Sequence, residues 1–311
     1  MNSTKPTSIN TTFNYSIQYK RPFRRKLKRI LVVLSFLAPA FSLYGVFLFY
    51  PMLNAIKFSF FEWDGASPTM NYVGLENYKN LFQDTVFYQA LFHNVIWVVL
   101  SLILIVVPTL ILAVMISRVK KGKYFFRAGF YLPSVLSLVV VAVLWAKIYD
   151  PLMGPLNAFL KMLGLPSPNW LAEEWSVLPA LIVVGVWAFY GFYMILYLAG
   201  LQNLDYSLYE AAEIDGAGQI RKFWSVTIPG LRNTMNVVIS MAIIHAFKAF
   251  ALVWVMTRGG PYYKSELVST YVYKLAFSMN KVGYGTVAGL VLGVIVITLT
   301  ILFNYLRERG D

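Results

Sequence analysis

Six long apolar segments constrain the fold of this chain more than any other feature. They cover residues 30–50, 95–117, 128–148, 177–201, 234–256 and 284–306. Each has roughly 20 residues, the length that a helix rising about 1.5 Å per residue needs to cross about 30 Å of hydrocarbon. The sequence therefore predicts an all-α polytopic membrane protein with six transmembrane helices.

The composition agrees with a membrane protein and excludes several other classes. Hydrophobic residues make up 58% of the chain and charged residues 13%, whereas soluble domains have roughly 25% charged residues. The net charge of +13 is explained by membrane topology, so no nucleic-acid partner is expected. The chain has no cysteine and two histidines, His93 and His245, far apart in sequence. We therefore expect neither disulfides nor a protein-bound metal.

The distribution of Lys and Arg predicts the orientation of the spans. Segments 1–29, 118–127, 202–233 and 307–311 contain 18 of these residues, whereas the three intervening loops contain 7. Since basic residues accumulate in cytoplasmic loops, both termini and the 202–233 loop are predicted to be cytoplasmic. Residues 1–29 then form a polar and basic tail, and 30–311 form the transmembrane domain. Ala38-Pro39-Ala40 is similar to a signal-peptidase site, but the apolar segment continues beyond it, which favours an uncleaved first span.

The predicted cytoplasmic loop at 202–233 is a polar segment between two apolar ones. Ser207 and Glu210 have the spacing of a capping box, which predicts a short helix beginning at Ser207. Ala211 and Ala212 would let another backbone approach that helix closely. Gly216 and Gly218 would end it, since glycine adopts a left-handed conformation without steric cost. From the residues alone, an interfacial hairpin and a rigid knob that docks in a partner protein are both open interpretations.

The same loop resembles a known family motif. Its residues Glu210-Ala211-Ala212, Asp215-Gly216-Ala217, Phe223 and Thr227-Ile228-Pro229 are similar to the EAA loop of permease subunits of binding-protein-dependent ABC importers. Segments 71–78, 257–261, 271–277 and 283–285 are similar to the carbohydrate-uptake branch of that family. The resemblance covers about residues 30 to 307. The chain departs from the family pattern at Ile228, where leucine is usual, and at Lys248, where an acid or amide is common.

The resemblance implies a type I ABC importer permease fold with a coupling helix in the 202–233 loop. The residues that would dock on an ATP-hydrolysing subunit are Glu210, Ala211, Ala212, Asp215, Gly216 and Ala217. The chain itself has no G-x-x-x-x-G-K-[ST] phosphate loop, so it is predicted not to be an enzyme, and ATP and Mg²⁺ would be bound by the partner ATPase. The implied partners are a dimeric ABC ATPase, a homologous second permease, an extracytoplasmic solute-binding protein and the lipid of the bacterial inner membrane.

The fourth and fifth spans hold the predicted substrate path. Aromatic residues cluster in the fourth span, where they would either stack on sugar rings or pack helices and face lipid. In the fifth span, His245 and Lys248 are ionisable groups inside apolar sequence, which is a functional hypothesis for a membrane protein. Lys248 would alternatively snorkel or bond a neighbouring helix. The residue types and the family pattern together give Ala188, Phe189, Phe192, Tyr193, Ala242, His245, Ala246, Lys248 and Ala249.

The expected function is that of one permease subunit of an ATP-driven sugar importer, with an oligosaccharide as substrate and an acidic one if Lys248 meets a carboxylate. An importer of another solute, such as glycerol phosphate, is an alternative. An ion-coupled secondary transporter is a further alternative, although none of the six spans has an Asp or Glu in its interior. A membrane enzyme would need paired carboxylates or a nucleophile with a base, and the sequence indicates neither.

Overall fold

The computed structural model describes residues 23–308, so most of the predicted basic tail and residues 309–311 lie outside the described part. The chain divides into two compact units, residues 1–54 and 55–311. Helix α1 (Phe23–Tyr44) of the first unit continues through a π-helical turn at Gly45–Phe49 into α2 (Tyr50–Phe58), whose residues 55–58 belong to the second unit. No side chain in the apolar window of this segment is buried. Such a surface needs lipid or a partner subunit to cover it.

The second unit is almost entirely helical. Its helices are α3 (Glu76–Leu81), α4 (Thr85–Arg118), α5 (Lys123–Val135), α6 (Leu138–Ile148), α7 (Pro155–Met162), α8 (Val177–Gln202), α9 (Tyr206–Ile214), α10 (Gln219–Lys222), α11 (Ile228–Gly230), α12 (Arg232–Phe247), α13 (Ala251–Met256), α14 (Val268–Tyr273) and α15 (Val282–Glu308). Two further π-helical turns lie at Phe223–Thr227 and Lys274–Ser278. A two-residue antiparallel hairpin pairs β1 (Phe61–Glu62) with β2 (Asn71–Tyr72).

Five of the described helical segments are long and apolar enough to cross a membrane, and a bent pair would make a sixth. The bent pair is α5 and α6, which meet at 97°. The prediction of one continuous span over 128–148 is therefore wrong in detail. Leu136 adopts an extended conformation (φ −72°, ψ 145°) directly after α5, and Pro133 has no amide to donate within its last turn.

Helix α8 lies at the centre of the second unit and packs against α4 and α5. Its side chains Tyr193 and Tyr197 are fully buried. The contact with α5 depends on Gly191, because a Cβ at that position would lie 2.0 Å from the carbonyl oxygen of Phe130. A backbone approach this close leaves room for no side chain, so Gly191 fixes where α5 crosses α8.

The fifth span is interrupted at residues 248–250, between α12 and α13. Phe250 has a non-helical backbone (φ −135°, ψ −57°), and the carbonyl of Ala249 accepts a hydrogen bond from the Ser269 hydroxyl. The predicted span over 234–256 therefore consists of two helical pieces rather than one continuous helix. The two halves also have different neighbours, since α12 packs against α4 and α13 against α6.

Asp84 joins three parts of the predicted outer end. One carboxylate oxygen caps α4 by accepting from the amides of Val86 (2.9 Å) and Phe87 (3.2 Å). The other accepts from the hydroxyls of Tyr271 and Tyr284. Burial acts to raise the pKa of Asp84, but these hydrogen bonds outweigh it and hold the pKa below its usual value. The ionised carboxylate thus ties the start of α4 to α14 and α15.

Candidate functional site

A cavity of about 300 Å³, here called the central cavity, is lined by residues of α4, α6, α8, α12 and α13. It lies within the apolar part of the molecule, beside the interruption of the fifth span. Helix α4 contributes Trp97 and Ser101, and α8 contributes Phe189 and Tyr193. The interrupted segment contributes Lys248 together with neighbouring residues of both α12 and α13. The break at 248–250 thus forms part of the cavity wall.

A tyrosine and a histidine form the polar centre of the central cavity. The hydroxyl of Tyr193 and Nδ1 of His245 are 2.9 Å apart, which is a hydrogen bond between α8 and α12. The imidazole also lies against aromatic rings, with centroid distances of 4.9 Å to Phe189 and 6.3 Å to Phe192. Because Tyr193 is fully buried and already bonded, it orients the histidine ring, whereas His245 itself is only half-buried.

Among the described residues, Lys248 is the one lysine or arginine that lines the central cavity. It caps the end of α12 and is exposed. Within residues 23–308 it has no hydrogen-bond or ion-pair partner, so its ammonium is available to a ligand. The sequence predicts an ionisable residue at this position, but it does not predict that α12 ends there.

Seven predicted substrate-path residues line the central cavity: Phe189, Tyr193, Ala242, His245, Ala246, Lys248 and Ala249. Two others do not. Ala188 is buried in a cluster with Val141 and Ala142 of α6, because it lies about 100° around α8 from Phe189. Phe192 contacts the rings of Tyr193 and His245 without lining the cavity. Ala188 and Phe192 therefore do not line the central cavity, and their part in a substrate path stays a prediction.

Sequence reasoning missed the contributions of α4 and of the residues after the break. Trp97 and Ser101 look like ordinary residues of an apolar span, and Phe250 looks like a continuation of one. Ser101, a short polar side chain within an apolar span, is the one sequence signal that could have indicated the contribution of α4 to the cavity. The assembled cavity offers aromatic faces, a hydroxyl, an imidazole and a cation, which together suit a ligand with flat apolar faces and polar edges.

The loop between α8 and α12 is the second predicted functional region. The expected capping box at Ser207 is not formed, because α9 begins at Tyr206 and is capped by Asp205. The Asp205 carboxylate accepts from the amide of Ser207 (2.9 Å). Hydrogen bonds from the amide and hydroxyl of Ser207 lower the pKa of Asp205, so this cap is ionised at neutral pH.

The end of α9 follows the predicted pattern at Gly216 but not at Gly218. Gly216 is left-handed (φ 72°), and the amide of Ala217 donates to the carbonyl of Ala212 (2.8 Å) in a glycine-type helix end. Gly218 instead has an extended backbone (φ −68°, ψ 171°) and precedes α10. A single left-handed residue is therefore enough to reverse the chain.

Side-chain bonds hold the two halves of this loop together. Lys222 of α10 is buried and lies 2.7 Å from the Glu213 carboxylate, which lowers the pKa of Glu213 through the hydrogen bond and the charge of Lys222. The hydroxyls of Tyr209 and Thr227 are 2.9 Å apart. These contacts make α9, α10 and the following π-helical turn one connected body.

The exposed side of this connected body is here called the loop surface. Of the predicted coupling residues, Glu210, Ala211, Asp215 and Gly216 are exposed, and Ala212 and Ala217 are half-buried. The surface also carries large apolar side chains with exposed fractions of 52 to 87%: Leu208, Ile214, Ile220 and Trp224. Several large apolar side chains exposed together mark an interaction surface. Each of these four apolar residues interrupts an otherwise polar segment of the sequence.

A third region lies at the predicted outer end, where a cavity of about 670 Å³ opens between the first outer loop and residues 271–284. It is lined by polar side chains such as Asp64, Asn77 and Lys281, together with Trp63. An outer loop with aromatic residues either anchors at the membrane interface or docks an external partner. A polar cavity of this size is more typical of an interaction site than of a lipid anchor.

Residues 96–309 match the family of the binding-protein-dependent transport system inner membrane component. The diacetylchitobiose uptake system permease protein NgcF of Streptomyces coelicolor is 34% identical over 311 residues, covering 94% of this chain and 88% of the relative.

Solved structures agree in fold. A bacterial ABC transporter involved in the import of the acidic polysaccharide alginate contains a chain with a TM-score of 0.81 and 26% identity, covering 92% of this chain and 98% of that one. The alginate transporter in complex with its alginate pentasaccharide-bound periplasmic protein contains a chain with a TM-score of 0.82 and 25% identity. That match covers 92% of this chain and 97% of the other. The predicted fold class, an all-α polytopic importer permease, is confirmed, whereas the side of the membrane on which the termini lie stays a prediction.

Proposed function

We propose that this chain, which belongs to the binding-protein-dependent transport system inner membrane component family, forms half of the path by which an ATP-driven importer takes up an oligosaccharide. The observation that carries the proposal is the central cavity, where aromatic faces and the Tyr193–His245 pair meet at a break in the fifth span. Sugars present hydroxyls and flat C–H faces, and both features find partners in such a cavity.

The relatives support a carbohydrate rather than another solute. One is named for diacetylchitobiose uptake, and the similar solved structures belong to an alginate transporter. Alginate is acidic, and Lys248 brings an unpaired cation to the wall of the central cavity. We therefore assign to Lys248 the role of meeting a carboxylate on the transported sugar. Membership of this family also makes an ion-coupled transporter the weaker alternative.

The loop surface is proposed to dock on the partner ATPase. Its exposed Leu208, Ile214, Ile220 and Trp224 surround the Glu210–Ala217 segment, and internal bonds hold the whole as one body. A rigid projection can transmit the closure of an ATPase to the spans because it does not deform on contact. In this proposal the chain is a non-catalytic subunit, ATP and Mg²⁺ are bound by the ATPase, and a homologous permease completes the path.

The binding protein is proposed to dock at the outer end, where the polar cavity beside Trp63 lies. In this proposal the chain is a multi-pass protein of the bacterial inner membrane. The similar alginate transporter has been seen together with a sugar-loaded periplasmic protein, which supports the same kind of partner here.

The role of Lys248 is testable with the complete transporter reconstituted in vesicles. Uptake would be measured for neutral oligosaccharides, for uronic-acid oligosaccharides and for glycerol phosphate, in wild type and in Lys248→Gln. A matched control is Lys147→Gln, because Lys147 is also exposed but does not line the central cavity. Loss of one charge-assisted hydrogen bond is expected to lower uptake of the acidic oligosaccharide about tenfold and to leave a neutral one unchanged.

The outcomes separate the proposal into parts. If Lys248→Gln and Lys147→Gln behave alike on every substrate, Lys248 does not contact the sugar, while oligosaccharide uptake as such still stands. If wild type transports glycerol phosphate and none of the oligosaccharides, the carbohydrate assignment is wrong.

A further inference from the structure

A cavity of about 550 Å³, here called the basic cavity, lies between the 203–231 loop and the span ends on the predicted cytoplasmic side. The last turns of α4 and α8, the first turns of α5, and helices α9 and α10 all contribute to its wall. The basic cavity is separate from the central cavity and shares no lining residue with it.

Basic side chains dominate the charge of this cavity. Four line it: Arg118, Lys123, Arg127 and Lys222. The one lining carboxylate is Glu213, which already pairs with Lys222 at 2.7 Å. The cavity therefore carries three more cations than anions, and such an excess attracts a polyvalent anion.

The guanidinium of Arg127 is the most informative of these groups. Its Nε and Nη2 atoms are buried, and no residue within 23–308 accepts a hydrogen bond from them. Buried charged donors are almost always bonded, because an unpaired charge away from water is costly. Two adjacent donors on one edge of a guanidinium match two oxygens of a phosphate.

We propose that the basic cavity binds a phosphate group, with Arg127 donating from Nε and Nη2 and Arg118 and Lys123 adding charge. The span ends lie at the level where phospholipid headgroups sit, so an anionic headgroup is one source and a soluble phosphate compound is the other. Since Glu213 and Lys222 of the 203–231 loop line the same cavity as Arg127 of α5, a bound phosphate lies between that loop and the membrane-spanning part. This inference does not depend on which solute is transported.

The test uses the complete transporter in nanodiscs. One arm compares phosphatidylcholine alone with phosphatidylcholine plus phosphatidylglycerol and counts retained anionic lipid by native mass spectrometry. The second arm titrates inorganic phosphate into the phosphatidylcholine nanodiscs by calorimetry. Arg127→Gln is expected to weaken binding about tenfold or more, and Arg127→Lys, which keeps the charge but not the fork, by less. The matched control is Lys121→Gln, which removes a charge from the segment just before α5 but not from the cavity.

Each result decides between named outcomes. Retained lipid that is lost in Arg127→Gln supports a headgroup, and a phosphate isotherm that weakens in the same variant supports a soluble source. The proposal is overturned if wild type binds neither, as expected if a carboxylate of the ATPase occupies Arg127. It is also overturned if Arg127→Gln binds like Lys121→Gln. If the transporter carrying Arg127→Gln does not assemble, as judged by gel filtration, Arg118→Gln is used instead. The same weakening of lipid or phosphate binding is then expected.

Discussion

The central cavity and the loop surface differ in how their polar groups are used. In the loop, the polar side chains bond one another: Asp205 caps α9, Glu213 pairs with Lys222, and Tyr209 meets Thr227. In the central cavity, the Tyr193–His245 bond is internal, but Lys248 is left without a partner in the described part of the chain. A region that satisfies its own polar groups is suited to act as a rigid body. A region that leaves them free is suited to bind a ligand.

The two regions also differ in how the chain builds them. The loop surface comes from one continuous segment of the chain. The central cavity is instead assembled from helices that are far apart in sequence, with lining residues from Trp97 to Leu252. Local bonds determine the first, and long-range packing determines the second. Substitutions in the loop should therefore affect transport by changing the backbone conformation. Substitutions in the central cavity should affect it by changing the space available to a ligand.

The largest expected effect comes from filling the central cavity. In His245→Trp, an indole replaces an imidazole in a space of about 300 Å³. Solute uptake by the reconstituted transporter should fall by about 100-fold or more, because the path no longer admits a sugar ring. Val237→Trp is the matched control, since Val237 lies on the same helix with an exposed side chain. Capture of substrate by the binding protein should not change, and unaltered uptake would remove His245 from the path.

A smaller effect is expected from substitutions of Gly216. They distinguish a requirement for the left-handed backbone from a requirement for a small side chain. A Cβ at Gly216 would meet nothing within 4 Å, so the left-handed φ of 72° is the sole local constraint. Gly216→Val, which strongly disfavours that conformation, should lower uptake per ATP hydrolysed about tenfold. Gly216→Asn, which tolerates it, should stay near wild type. Equal loss in both variants would show that a partner contact, and not the turn, requires glycine.

The smallest expected effect concerns the cap of α9. Removing the carboxylate in Asp205→Ala should speed amide hydrogen exchange across α9 about fivefold, because the first amides lose their acceptor. Ser207→Ala should change little, since the structure assigns the cap to Asp205. Exchange mass spectrometry on the purified transporter measures both. The reverse ranking of the two variants would restore the cap predicted from the sequence.

The sequence predicts the loop well because its determinants are local. The short helix and its end at Gly216 follow from residue types within ten positions. The observed cap, Asp205, lies two residues before the predicted one, Ser207, because both residue types are good helix caps. The extended backbone of Asp205 (φ −68°, ψ 119°) decides between them.

The central cavity could be predicted only in part. Phe189 and His245 were found from residue type and family pattern, but a helical wheel cannot say which face of α8 meets α6 and which meets open space. The break after Phe247 has no proline or glycine to mark it. It depends on Ser269, a residue about 20 positions away that bonds the Ala249 carbonyl. Such long-range contacts leave no local signal.

The bend between α5 and α6 has a consequence for how the protein is made. The two helices have 13 and 11 residues, so at about 1.5 Å per residue neither is long enough to cross about 30 Å of hydrocarbon alone. Their position is fixed by α8, where Gly191 receives the Phe130 carbonyl. We therefore expect this pair to reach its final position in the membrane only after α8 has been synthesised. Insertion of this part of the chain is then a cooperative event of three helices rather than a sequence of independent ones.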